Sequence, residues 1–97
     1  MRVVLEREAE QEMLDAAKYY ETAQLGLGSD FLDEVQIASH AIGRDPLRYG
    51  FYGRPIRSIK LERFPYRLLY AIETDRILIV AVMHLHRRPD YWKHRLD

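Results

Sequence analysis

Apolar positions along the chain change period twice, and the changes mark its elements. Arg2 to Leu5 is a short β-type run. From Glu6 the period lengthens: Ala9, Met13, Ala16, Ala17 and Tyr20 form one stripe at helical spacing, with Glu8, Glu12, Asp15 and Lys18 largely off it. This predicts a helix from about Glu6 to Thr22. Leu25-Gly26-Leu27-Gly28 then interrupts the pattern, and Ser29 or Asp30 is placed to cap a second helix by accepting its free backbone N–H groups. Phe31, Val35, Ala38 and Ile42 carry that helix to Gly43, ahead of Pro46, which cannot continue it. So short a loop predicts an antiparallel helical hairpin.

Beyond the turn-rich LRYGFYGRP, the period shortens to two. Ile56 to Leu61 alternates as a strand, Phe64-Pro65 breaks it, and Tyr66 to Glu73 makes a second. After the tight connection Thr74-Asp75-Arg76, Ile77 to Leu85 supplies the most apolar strand, which predicts a central position. Strands joined so closely pair antiparallel, and the helical hairpin is the available cover for one face of their sheet. The expectation is an α+β fold in the order β-α-α-β-β-β, one domain over residues 1–97.

Alternation sorts the strand side chains by face. Tyr66, Leu68, Tyr70 and Ile72 share one side, and Arg67, Leu69 and Ala71 the other. On the last strand Ile77, Ile79, Ala81, Met83 and Leu85 oppose Leu78, Val80, Val82, His84 and His86. If Arg67 turns away from the helices, the far face carries a cation in mid-sheet. Whether His84 and His86 join it depends on a register that alternation does not fix.

Composition narrows the class. A chain of 97 residues, 47% hydrophobic and 31% charged, can bury one core but not two. No apolar run reaches the roughly 18 to 20 residues of a membrane span, and MRVVLEREAEQ lacks the apolar core of a signal peptide, so a cytoplasmic protein with no membrane partner is expected. Without cysteine there are no disulfides and no thiolate ligands. The net charge of zero hides a dipole: residues 1–48 hold 5 Lys+Arg against 10 Asp+Glu, and residues 49–97 hold 10 against 5. Such segregation steers anionic partners to one side of a neutral molecule.

The candidate chemistry lies in the basic half, and each residue has a plain reading beside the functional one. Lys60 and Arg67 are either solvated strand charges or anion-binding groups. His84 and His86, at i and i+2, could share a metal, but no third ligand has a matching spacing; no metal and no cofactor are expected. Tyr91 and Trp92 either stack a base against Arg87 or Arg88 or close the end of a core. Glu6, Glu8, Glu10 and Glu12 read as a solvated first turn favoured by the helix dipole.

The helix pair with YYE and GLGSDFLDEV, the IRSIKLERFPYRLLYAI hairpin and the AVMHLHRRPDYWKHR end together resemble the RelE/ParE superfamily of bacterial toxins over nearly the whole chain. That resemblance implies the toxin of a type II toxin-antitoxin module, arresting growth until a cognate antitoxin wraps a disordered segment around it. RelE-like members cleave messenger RNA in the ribosomal A site, whereas ParE-like members poison DNA gyrase. For the ribonuclease, the resemblance implies a metal-independent site of Lys60, Arg67, Arg87 and Tyr91, supplying the acid, base and cations that 2′-OH attack on a phosphate requires. Ser58 stands where the family has a second lysine, and the spacing to Tyr91 departs from the pattern, which counts against that chemistry. His84 or His86 could substitute, since histidine titrates near neutral pH. In a gyrase poison, His84, His86, Arg88 and Trp92 become target-contact candidates. The GLG hairpin, FPYRLLY and the H-x-x-R-x-P-x-Y-W segment look closer to the ParE-like branch, and gyrase is the favoured target. A member that only binds antitoxin is a further alternative.

Overall fold

The computed structural model describes residues 1–96. Its elements run β1 (Val3–Leu5), α1 (Arg7–Ala23), α2 (Leu27–Arg44), β2 (Arg57–Lys60), β3 (Tyr66–Ile72), β4 (Ile77–His84) and a closing 3-10 turn (Lys93–Leu96). The strands form one sheet in the order β1-β4-β3-β2. β1 joins β4 in parallel, and the other pairs are antiparallel. This is the expected α+β order, with β4 interior as its apolar composition implies. No helix among the described residues is long and apolar enough to cross a membrane.

The helical hairpin closes by a different device from the one expected. α2 begins at Leu27, ahead of Ser29 and Asp30, so neither of them is its cap. Gly26, with φ +88°, occupies the cap position in the left-handed region where a side chain is strained. The first free N–H groups are satisfied from α1 instead: the Glu21 carboxylate accepts from Gly26 N and Gly28 N, both at 2.9 Å. Gly28 is thus helical rather than a breaker. A Cβ there would lie 2.5 Å from the Ala17 carbonyl oxygen, so its bare backbone is what lets the two helices approach.

Both faces of the sheet are covered. Ala9, Ala16 and Ala17 of α1 and Phe31, Val35, Ala38 and Ile42 of α2 pack on Leu68, Tyr70, Ile77, Ile79 and Val82. On the far face Ile56, Leu69, Val80, Ala81, Met83 and Trp92 form a second core, sealed by Tyr52 and Tyr91. The chain after β4 therefore folds back as a cover.

Simple alternation fails on β4. Leu69 pairs with Ala81 and Tyr70 with Ile79, which leaves Val80 as an unpaired extra residue. Such a bulge inverts the faces beyond it. Val80 and Ala81 both join the far core, Met83 follows them, and Val82 turns to the helices, reversing the expected sides of Ala81, Met83 and Val82.

Candidate functional site

The bulge also separates the sequence-predicted residues. Arg67, opposite Met83, lies on the far side with Leu69. Its guanidinium donates to Ser58 Oγ at 3.0 Å and sits 5.7 Å from the Tyr52 ring. Ser58, where the resemblance calls for a second lysine, is buried. Lys60 is the cross-strand partner of Arg67, and its Nζ donates to the Leu61 carbonyl at 3.0 Å. Ser58, Lys60 and Arg67 form one group at the β2–β3 end.

His84 belongs to another place. It pairs across the strands with Tyr66, and their rings meet edge to face at 5.1 Å. Its Nδ1 accepts from His86 N at 3.1 Å, which in the neutral ring leaves the proton on Nε2. The ring borders a small hollow of about 220 Å³ on the helix side with Glu12, Asp15, Tyr19, Tyr66 and Arg87. Burial pushes the Tyr66 phenol above its ordinary pKa. His86, Arg87 and Arg88 are exposed at the corner that follows. Among the described residues no three His, Asp or Glu side chains converge as a metal site.

The tail is fixed through Glu12 and Arg95, neither of which was a candidate from the sequence. Arg87 lies 3.9 Å from the Tyr91 ring centre, and the Tyr91 phenol donates to Glu12. Burial, then that hydrogen bond and the Glu12 charge, hold the phenol protonated well above the tyrosine range. Trp92 is 3% exposed, its Nε1 donating to the Pro89 carbonyl at 2.7 Å, so its ring closes the core end instead of lying open for stacking. Arg95 donates to Glu12 from Nη1 at 2.8 Å and Nη2 at 3.2 Å, and from Nη1 to the Val80 carbonyl at 3.1 Å. Glu12 also accepts from Val82 N at 3.0 Å. Beyond the short β1, the edge of β4 is thus completed by two side chains. Glu12 is no solvated first-turn acid. Placed off the stripe from the sequence, it in fact lies three residues after Ala9 and four before Ala16, at the margin of the buried face.

Lys60 and Arg67 therefore stand together, and so do Arg87 and Tyr91, but Arg67 is tied to Ser58 and Tyr91 to Glu12. A separate apolar groove of about 780 Å³ runs beside the free edge of β1, lined by Val3, Leu5, Met13, Leu32 and Val35, with His40 and Arg44 at its rim.

Comparison with known proteins agrees with this architecture. The sequence model of the family described as the ParE toxin of the type II toxin-antitoxin system parDE matches residues 3–89. Among solved structures, the chain is similar to one titled "Chromosomal ParDE TA system from P. aeruginosa", with a TM-score of 0.63 and 19% identity over 87% of this chain and 95% of that one. At that identity the likeness speaks for the fold. No curated protein matches the sequence.

Proposed function

The chain belongs to the ParE toxin family of type II toxin-antitoxin systems, and from that premise we propose that it arrests bacterial growth by engaging DNA gyrase and is silenced by a cognate antitoxin. The observation that carries this reading is the match to the ParE branch across residues 3–89. The side chains that a ribonuclease would use support it from the other direction. Ser58 replaces a lysine and accepts from Arg67. Tyr91 donates its proton to Glu12, and its raised pKa makes proton release to a reacting group costly. Arg67 and Arg87 are consequently contact residues for a protein target, together with His86 and Arg88 at the exposed corner.

The antitoxin segment lies along the helical hairpin and the β1 edge. The groove there is apolar, its rim carries Arg44 and His40, and among the described residues no carboxylate lines it. A segment that orders on binding, with apolar side chains and an acidic residue near one end, matches it in shape and charge.

The test is pulse incorporation of labelled thymidine and methionine just after induction, with Arg67→Ala and Arg87→Ala alongside. Thymidine incorporation falling first, relieved in the arginine variants, is the expected result. Methionine incorporation falling first would move the target to the ribosome and restore the ribonuclease. Absence of growth arrest would leave an antitoxin-binding protein without activity. Co-purification with the product of a neighbouring small reading frame tests the partner separately.

A further inference from the structure

The connection from α2 to β2 carries a feature that neither the gyrase nor the antitoxin reading uses. Residues 46–61 hold four Lys+Arg and no Asp or Glu. Within them residues 51–57 form a tight hairpin, closed by Tyr52 N to Ile56 O at 2.7 Å and Ile56 N to Gly53 O at 2.9 Å. The Phe51 ring is exposed there, with the Arg54 guanidinium 4.1 Å and the Arg57 guanidinium 4.0 Å from its centre. Both guanidinium groups thus lie against the one ring. Arg57 is further anchored by donating to the Tyr49 carbonyl at 2.7 Å and the Leu47 carbonyl at 3.2 Å. Phe51 and Tyr52 share a shallow hollow of about 420 Å³ with Pro89, Trp92 and Lys93, where Asp90 is the single acid.

We propose that this hairpin, with Arg54, Arg57 and Lys93, is a docking surface for the phosphodiester backbone of a nucleic acid. Two exposed arginines, Arg63 and Arg76, are neutralised by Asp30 and Glu34 and by Glu73. Arg54, Arg57 and Lys93 have no carboxylate partner among the described residues. Contact with the ring, and for Arg57 the two carbonyl bonds, restrains both guanidiniums, so less side-chain freedom is lost when each meets a phosphate oxygen pair. The surface offers forked donors and guanidinium planes, which also stack on bases. A backbone that repeats its charge at short intervals suits such a row better than an acidic peptide does. The inference is independent of which macromolecule the toxin disables.

The experiment is fluorescence anisotropy of the full chain with a labelled duplex DNA, its single strand and the RNA of the same sequence, over a series of salt concentrations. Binding should weaken with salt, log K against log salt having a slope of about −2 to −3 for three phosphate contacts. Arg54→Ala and Lys93→Ala should each weaken binding several-fold and reduce the slope by about 1, whereas Arg76→Ala at the β3–β4 turn should do neither. Preference among the three probes identifies the nucleic acid. The proposal is overturned if none is bound, if the Arg54 and Lys93 variants keep the parent's slope, or if polyglutamate of matched charge binds as tightly.

Discussion

Glu12 and Arg95, 83 residues apart, form a two-pronged ion pair at 2.8 and 3.2 Å with side-chain exposures of 17% and 5%. It ties the tail to α1 and completes the edge of β4. Removing the carboxylate leaves the buried guanidinium with only the half-exposed Glu8, 3.5 Å from its Nε, and the Val82 N–H without its acceptor. Glu12→Ala should therefore lower the unfolding free energy by about 3 to 5 kcal/mol, and urea titration measures it. The double change Glu12→Leu with Arg95→Met should be markedly less damaging than the sum of its parts, because it removes the stranded charge with its partner.

Gly28 gives a steric test of the helical hairpin. Alanine there brings its Cβ against the Ala17 carbonyl oxygen, a backbone atom that cannot swing aside. Gly28→Ala should destabilise by about 1 to 3 kcal/mol despite alanine's better helix propensity. At Gly50, where a Cβ meets nothing within 4 Å, the same substitution should be close to neutral. Thermal unfolding of the two variants decides it.

These two predictions mark where sequence reasoning stops. Element order and the central place of β4 follow from periodicity, because each stripe or alternation is local. The bulge at Val80 is one extra residue inside an unbroken apolar run, so alternation passes through it and groups Met83 with Ile79, which the structure places on opposite faces. The glycines between the helices announce a turn, but only the approach of Ala17 shows that Gly28 is a packing residue. Lys60 and Arg67 were candidates on adjoining strands, but only the observed register makes them cross-strand partners. The bond from Tyr91 to Glu12 was not, since it depends on a tail that crosses back to the first helix.

Alkaline pH should reveal Tyr70. Burial raises its phenol to about 12, with the Arg57 charge pulling the other way, and its hydroxyl donates to the Pro46 carbonyl at 2.6 Å. A raised folded pKa makes the neutral phenol's stabilisation fully present below the unfolded tyrosine value near 10. It is then lost as pH climbs towards the folded value, because only the unfolded chain ionises in that window. The loss due to Tyr70 should be about 2 to 3 kcal/mol between pH ~10 and ~12. Tyr91 contributes in the same direction. Melting temperatures across that range should fall less steeply for Tyr70→Phe, which gives up about 1 kcal/mol of hydrogen bonding at neutral pH.

The groove beside β1 yields the test of antitoxin placement. Leu32 lines it and is 37% exposed, so a change there alters the groove wall without opening the core. An aspartate at this position would be buried unpaired beneath an apolar antitoxin segment, and desolvating it should weaken the complex by at least about tenfold. Arg44, twelve residues further along α2 and so about 18 Å away, is too distant to offset that penalty. Leu32→Asp should then fail to retain antitoxin on co-purification, and co-expressed antitoxin should no longer restore growth, with the variant's melting temperature near the parent's. Leu25→Asp, in the exposed hairpin loop and outside the groove, should keep both. If Leu32→Asp captures antitoxin as the parent does, the segment lies elsewhere on the hairpin. The hollow between α2 and β2, bordered by Ile37, Ile59 and Lys60, is then the surface to probe in the same way.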